Sequence, residues 1–525
     1  MLAKGGTITA FGDFFTVFCR MLMGIFTVHL FRSPAQFGLY ELAYRATFFL
    51  RTLALPGTNQ GIRRFLPIYR ADKNRSAQKG LLLYSLKITA VLSLIVTTAI
   101  LIFAPGIAKW FQKPDASSYL RILALSIPFY AFLFIAISSL TAIRQVKYEV
   151  LVHKILLFGI RLLILFAFMF VGNQTLRNYT VLWSFPVAFG IGCFIAMFFF
   201  LKTFGVLRDD KVKPKYHAKE WIKFSLPLAA TLPIVFLMNH IGTFIIGYYR
   251  PISELGQYGI ITRLAPLVIV PLQSVIIVFG PMISELHHLG KADELAKHLK
   301  FISKWIFTFS LFVLIIYALL TKPILTVFGR GFSGIRTQHA LLIVGLAQLF
   351  NAGVGPVGIL LAMTGKPRII MYNTTMVLGL NALLGLILVP LKGPLGGIIG
   401  AGLAHAISVV CIKTIYLLQA RHYLKIHPFS FGYLKPLIAG LLSSALMFGL
   451  IRLIRSYNFW VDLKPENVLD YLSIVGSVFL AASILALVFG LLLYIFGLEE
   501  ADKFILRKML HKFRSIRSKN SKEEK

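Results

Sequence analysis

The chain has 525 residues, 57% of them hydrophobic and 14% charged, with a mean hydropathy of +0.77. A soluble protein of this length has too little polar surface to carry that composition, so the chain reads as a membrane protein. Its formal charge of +35, from 55 Lys and Arg against 20 Asp and Glu, would suggest nucleic acid for a soluble chain. Here the basic residues collect in short segments between apolar runs, the positive-inside pattern, and no nucleic-acid partner is expected.

Fourteen runs are long enough to span a bilayer, at roughly twenty residues each. They lie near 8–29, 38–60, 81–104, 119–143, 150–171, 179–201, 222–247, 258–280, 301–320, 339–363, 369–389, 395–418, 436–454 and 471–495. The start, MLAKGGTITAFGDFF, reads as a retained first helix rather than a cleavable signal, because its apolar run is long and holds Asp13 and Arg20. With both termini on one side, the segments on that side hold 32 Lys and Arg and the opposite linkers hold 12. Both termini are therefore expected to be cytoplasmic, in a multi-pass protein of the cell membrane. Basic loops of this kind also suit anionic lipids.

The chain carries an internal repeat. FGLYELAYR at 37–45 matches LGQYGIITR at 255–263, pairing Gly38 with Gly256, Tyr40 with Tyr258 and Arg45 with Arg263 at a shift of 218. FLPIY at 65–69 resembles FGPMI at 279–283, and the run 120–147 resembles 341–368, at shifts of 214 and 221. Six spans separate the copies, so they share one orientation and their pseudo-axis lies along the membrane normal. The expected fold is an all-α polytopic membrane protein with two pseudo-symmetric six-helix lobes. These are an N-terminal lobe at 1–201 and a C-terminal lobe at 222–418, joined by a basic linker at 202–221. Two extra helices fill 436–495, and a basic tail at 496–525 is read as an interfacial helix to about 510.

Charges inside the spans are the main functional signal. Arg20, Arg45, Arg51, Arg161 and Arg263 all lie in apolar runs, where each costs about 2.5–3.5 kcal/mol if it faces lipid. An arginine near a span end can snorkel to the headgroups; Arg20, Arg51 and Arg161 are nearer mid-span, where that is strained. Interior acids are scarce, with Asp13 and Glu41 the main ones and the candidates for coupling to an ion. The excess cation points to an anionic substrate, and the guanidinium fork suits phosphate. His240 and His405 could respond to protons, and with Arg161, Gln348, Asn351 and Asn381 they are candidate cavity-lining groups. The amides could equally fasten helix to helix. Pro56-Gly57, Pro227, Pro233, Pro266 and Pro271 interrupt helices, as bending elements do. There is no GxxxxGK[ST], no HExxH and no acidic metal cluster, and Cys19, Cys193 and Cys411 have no metal spacing. No cofactor and no enzymatic activity are expected.

The stretch FGLYELAYRATFF followed by GTNQGIRRFLPIYRA resembles the start of polysaccharide biosynthesis flippases, the O-antigen-type branch of the multidrug/oligosaccharidyl-lipid/polysaccharide exporter superfamily. LLAMTGKPRIIMYNTTMVLGLNALLGLILVPLKGPLGGIIGAGLAHAIS and the junction GLEEADKFILRKML resemble the same family. The resemblance implies fourteen helices in two lobes. It also implies movement of a polyprenyl-diphosphate-linked oligosaccharide from the cytoplasmic to the outer leaflet, by alternating access. Related flippases for lipid-linked peptidoglycan precursors hold the diphosphate with arginines of the first, second and eighth helices. By position, Arg20, Arg45 or Arg51, and Arg263 would inherit that role. The implied partners are the lipid-linked oligosaccharide, with a glycan polymerase or glycosyltransferases as further candidates, and a monomer is expected. The alternatives are a cation-coupled drug or metabolite antiporter of the same fold, a membrane glycan polymerase or glycosyltransferase, and a non-transporting scaffold.

Overall fold

A computed structural model describes residues 2–455 and 468–497. The described residues contain helices and connecting turns and no strand. In chain order the helices are α1 (Leu2–Phe31), α2 (Pro34–Arg51), α3 (Thr58–Ala71), α4 (Arg75–Trp110), α5 (Ala116–Ala142), α6 (Val146–Phe168), α7 (Gln174–Thr203), α8 (Ala218–Tyr249) and α9 (Ile252–Leu264). They continue as α10 (Val270–His288), α11 (Ala292–Val327), α12 (Ile335–Val354), α13 (Val357–Met363), α14 (Pro367–Leu388), α15 (Gly397–Leu424), α16 (Leu434–Arg455) and α17 (Val468–Ile495).

Eleven of the described helical segments are long and apolar enough to cross a membrane, or twelve if α12 and α13, bent by 45°, form one span. These twelve coincide with the third to fourteenth expected runs. The first two expected runs are helical too, as α1 and α2. In α1 the described stretch Phe18–Phe31 is apolar. The 18 residues of α2 carry Glu41, Arg45 and Arg51. Several apolar spans are largely uncovered by protein: the apolar window of α4 has a mean hydropathy of 2.3 yet only 22% of it is buried, and that of the last span has 2.7 and 17%. Apolar faces left bare in this way belong against lipid, so the chain is a multi-pass membrane protein.

Local chemistry sets several helix ends. Ser33 caps α2 by accepting from the Ala35 N–H at 3.2 Å, with Pro34 at the first helical position. Asn74 and Asn173 cap α4 and α7 through the N–H groups of Ala77 and Leu176. The second expected run, 38–60, is corrected at its far end. α2 stops at Arg51, a short 3-10 turn covers Thr52–Ala54, and the chain breaks at Pro56 and Gly57 before α3. Pro56 has no N–H to continue a helix, and Gly57 takes φ +75°, which other residues rarely adopt. Arg51 therefore ends a helix rather than sitting in mid-span.

The described chain divides into two compact units. The first comprises Met1–Pro266, Leu325–Ala347 and Gly365–Ile415; the second comprises Leu267–Ile324, Gln348–Thr364 and Tyr416–Lys525. Within the second, Ile315 and Leu320 of α11 pack on Met447 of α16 and on Ala481 and Leu485 of α17. A separate patch joins Leu272, Ile306 and Ala352. The tail and part of the 452–470 linker lie outside the described residues.

Within the first unit α2 packs closely along α9, the two helices of the sequence repeat. Their matched glycines face each other. A Cβ on Gly38 would lie 2.0 Å from the Ile252 carbonyl oxygen, and a Cβ on Gly256 would lie 2.0 Å from the Pro34 carbonyl oxygen. Pro34 and Ile252 are themselves separated by the repeat shift, so each copy meets the other at the equivalent point. Small residues at such a crossing let backbones approach closely. Gly38→Val should lower stability by about 1–3 kcal/mol through overpacking, measured as thermal unfolding in detergent. Gly106→Ala, where an added Cβ meets nothing within 4 Å, should leave the midpoint in place.

Candidate functional site

Four residues from three helices of the first unit meet just beyond this glycine crossing. Glu41 is one turn along α2 from Gly38 and is fully buried. Its Oε2 accepts from Arg45 Nε at 3.1 Å, and its Oε1 accepts from Arg263 Nη2. One carboxylate thus bridges the two arginines that the repeat places in register. The repeat also explains the space. The counterpart of Glu41 in the second copy is Gly259, and a Cβ there would lie 2.7 Å from Glu41 Cγ. His240 of α8 completes the group, with Nε2 at 3.2 Å from Arg45 Nη1.

The remaining sequence-predicted arginines gather around the same helices. Arg51 has no carboxylate partner among the described residues. Its guanidinium lies 3.7 Å from the ring centre of Phe48 and 4.0 Å from that of Tyr130, and its buried Nε has no hydrogen-bond partner. Arg161 of α6 lies 3.5 Å over Phe185, donates to Ser184 Oγ at 3.5 Å and is within electrostatic reach of Tyr40. Arg20 of α1 is exposed and lies 5.1 Å over Phe158. Arg263 also lies over Phe37, at 4.8 Å. Tyr44 is within electrostatic reach of Arg51, Arg45, Arg161 and Arg20 together, and Tyr40 is within reach of Arg263 and Arg161. His153 extends the positive region, with Arg20, Lys154, Arg51 and Arg63 around it. Five guanidiniums therefore surround two tyrosines, and among the described residues Glu41 is the one carboxylate ion-paired to any of them.

Aromatic faces attract cations by about 0.5–2 kcal/mol, less than a charge-assisted hydrogen bond supplies in a dry site. Among the described residues, Arg20, Arg51 and Arg161 are thus held by rings and not neutralised by a carboxylate. They can bind an anion by exchanging a weak partner for a strong one. Two apolar cavities of this unit lie elsewhere. One, of about 140 Å³, is lined by Tyr84 and Trp221; the other, of about 350 Å³, is lined by Ala347 and Cys411; neither is lined by an arginine.

The other expected site residues fall in different places. His405 of α15 is half-buried and within electrostatic range of His240. Asn381 of α14 is buried and donates to the Met238 carbonyl at 2.9 Å, so it ties α14 to α8 rather than lining open space. Gln348 and Asn351 belong to the second unit and are bonded to each other at 3.0 Å. The Asp13 side chain lies outside the described residues. Sequence reasoning named Tyr40 only as a matched position of the repeat and did not single out Tyr44, Phe48, Tyr130 or Phe185. Tyr44 and Phe48 carried a readable signal, since they flank Arg45 and Arg51 at helical spacing; Tyr130 and Phe185 come from distant helices and carried none.

The family model described as "Polysaccharide biosynthesis protein" matches residues 7–287, and the MatE model matches residues 227–387. The chain belongs to the polysaccharide biosynthesis protein family. No curated protein sequence matches it significantly. Among solved structures it is similar to the lipid II flippase MurJ in an inward closed conformation, at 18% identity and a TM-score of 0.64, covering 91% of this chain and 98% of that one. It is also similar to an inward-facing multidrug resistance MATE family transporter of the MOP superfamily, at 15% identity and a TM-score of 0.64, covering 78% and 94%. A third is a MOP superfamily transporter from Pyrococcus furiosus, described as having a binding pocket of reverse polarity, at 16% identity and a TM-score of 0.53, covering 79% and 93%. The chain has the fold of these transporters.

Removing the shared carboxylate would strand two cations. Glu41→Gln should lower stability by about 3–5 kcal/mol, the usual cost of an uncompensated buried charge, read as the midpoint of thermal unfolding in detergent. The double variant Glu41→Gln/Arg263→Gln should recover part of the loss, because only Arg45 is then left without its partner.

Proposed function

We propose that this protein is a flippase that moves a polyprenyl-diphosphate-linked oligosaccharide from the cytoplasmic to the outer leaflet for polysaccharide export. The observation that carries the reading is the gathering of five arginines against one carboxylate among the described residues of these apolar helices. Such a group attracts an anion, and a diphosphate offers oxygens on two centres to several planar forks at once. Arg20, Arg45, Arg51 and Arg263 are assigned to the diphosphate, and Arg161 to its edge. The lipid tail stays in the bilayer while the headgroup crosses through the polar interior. In this reading the lobes at 1–201 and 222–418 rock about the linker at 202–221, and both termini face the cytoplasm. The solved MurJ structure is that of a lipid II flippase, which supports a lipid-linked substrate here by likeness of fold.

A cation antiporter would need a carboxylate available to its substrate. Glu41 is already engaged by Arg45 and Arg263, which weighs against that reading.

Leaflet-to-leaflet transfer of a defined lipid diphosphate oligosaccharide, measured in proteoliposomes, tests the assignment. Arg45→Ala/Arg263→Ala should reduce transfer at least about a hundredfold, since each charge-assisted bond is worth about 1.5–3 kcal/mol. The protein should still reconstitute as a folded species. Native transfer by that variant would remove the arginines from the mechanism.

A further inference from the structure

The two ring nitrogens of His240 are in opposite situations. Nε2 lies 3.2 Å from Arg45 Nη1. A guanidinium has donors only, so Nε2 must supply the lone pair. The imidazole in this structure is therefore neutral, with its proton on Nδ1. That Nδ1 is buried and has no hydrogen-bond partner. The ring packs on Phe236 at 4.6 Å, and Phe236 stacks on Phe48 of α2 at 4.9 Å.

The charged and titratable surroundings are few. Arg45 of α2 is bonded to the ring, with Glu41 and Arg263 behind it. His405 of α15 is within electrostatic range. From α9, Tyr258 directs its hydroxyl at Gly242 of the same helix α8. From α14, Asn381 is spent on the Met238 carbonyl. α3 meets α8 through Phe65 and through Arg64, which lies 4.2 Å over Phe224, and α4 meets it through Tyr84 and Trp221 and through Trp110 and Tyr248; none of these brings a charge to the His240 ring.

We propose that His240 is a proton-binding site linked to the anion-binding arginines, because a proton on Nε2 and the Arg45 N–H···Nε2 bond exclude each other. The proton forms an N–H bond with the Nε2 lone pair, and no covalent bond breaks. Arg45 Nη1 then loses its acceptor and is free to donate to an anion, while the new imidazolium adds a second cation beside it. The inference rests on reading the arginines as the diphosphate site. Its sign follows directly: the protonated form binds the anion better, so affinity is greatest below the His240 midpoint and falls as pH rises through it. By reciprocity the anion raises the proton affinity of His240, and a proton is taken up on binding. The coupling group is then a histidine, not Glu41.

Titration calorimetry of the full chain in nanodiscs with inorganic pyrophosphate, at one pH in two buffers of different ionisation enthalpy, counts that proton. His240→Gln is the reference, since its amide oxygen can accept from Arg45 but cannot titrate. Subtracting it cancels pyrophosphate's own protonation. The native chain should take up as much as one more proton per pyrophosphate than His240→Gln. Its affinity should fall by as much as about tenfold per pH unit relative to that variant above the midpoint. Equal uptake by the two chains, or no pyrophosphate binding by the native one, overturns the proposal. If His240→Gln fails to fold, spectra of labelled histidine in the native chain decide. A His240 midpoint raised by pyrophosphate supports the linkage, and an unmoved one overturns it. Flipping of a lipid-linked oligosaccharide without the linkage sinks the coupling site alone. Proton-linked pyrophosphate binding without flipping sinks the flippase reading alone.

Discussion

One buried carboxylate shared by two arginines is the interaction on which the interior depends. Arg45 and Arg263 descend from the same position of a duplicated segment, and each is costly in an apolar helix. Glu41 meets both because α2 and α9 cross closely at Gly38 and Gly256. A second acid at the matching position would have no room, since Gly259 lies directly against Glu41. The duplication therefore supplies two cations, and sterics at the crossing admit one anion. The remaining positive charge is a consequence of geometry as much as of composition.

The unpaired arginines follow a different rule. Arg51, Arg161 and Arg20 lie on aromatic rings, and among the described residues none of them has a carboxylate partner. A ring holds a guanidinium in position without consuming its donors, so the fork still seeks acceptors. A salt bridge at the same place would have stabilised the free protein more and bound an anion less. Arg51 shows the trade plainly: it is boxed by Phe48 and Tyr130, and its Nε is left without a partner. The interior thus separates two tasks, with Glu41 stabilising the helix crossing and the aromatics keeping the other cations available.

Much of this was legible in the sequence, and the reasons are physical. Long apolar runs fixed where the helices lie, and the spacing of Gly38 and Arg45 against Gly256 and Arg263 revealed the two helices that pack together. The pairing of Glu41 with Arg45 is a four-residue helical spacing that any sequence shows. Its pairing with Arg263, 222 residues away, is not. The same holds for Tyr130 and Phe185, whose contacts depend on how α5 and α7 pack, and for the Asn381 tie, where one amide serves equally for cavity or fastening. The end of α2 was misplaced because apolar residues continue past Arg51, although Pro56-Gly57 marked the break. The second expected span does not qualify by length and composition because α2 concentrates three charges in one helix.

Placing the helix crossing and the ion pair on the same two helices has a mechanical consequence. The glycines fix how near α2 and α9 come, and that distance sets whether one carboxylate can reach both guanidiniums. A ligand that drew Arg45 and Arg263 away from Glu41 would leave the crossing supported by packing alone, against a carboxylate newly unpaired in an apolar setting. An anion held by both arginines would compensate the charge but not the contact. Binding chemistry and helix separation are therefore linked through Glu41, without any need for a long chain of intermediary residues.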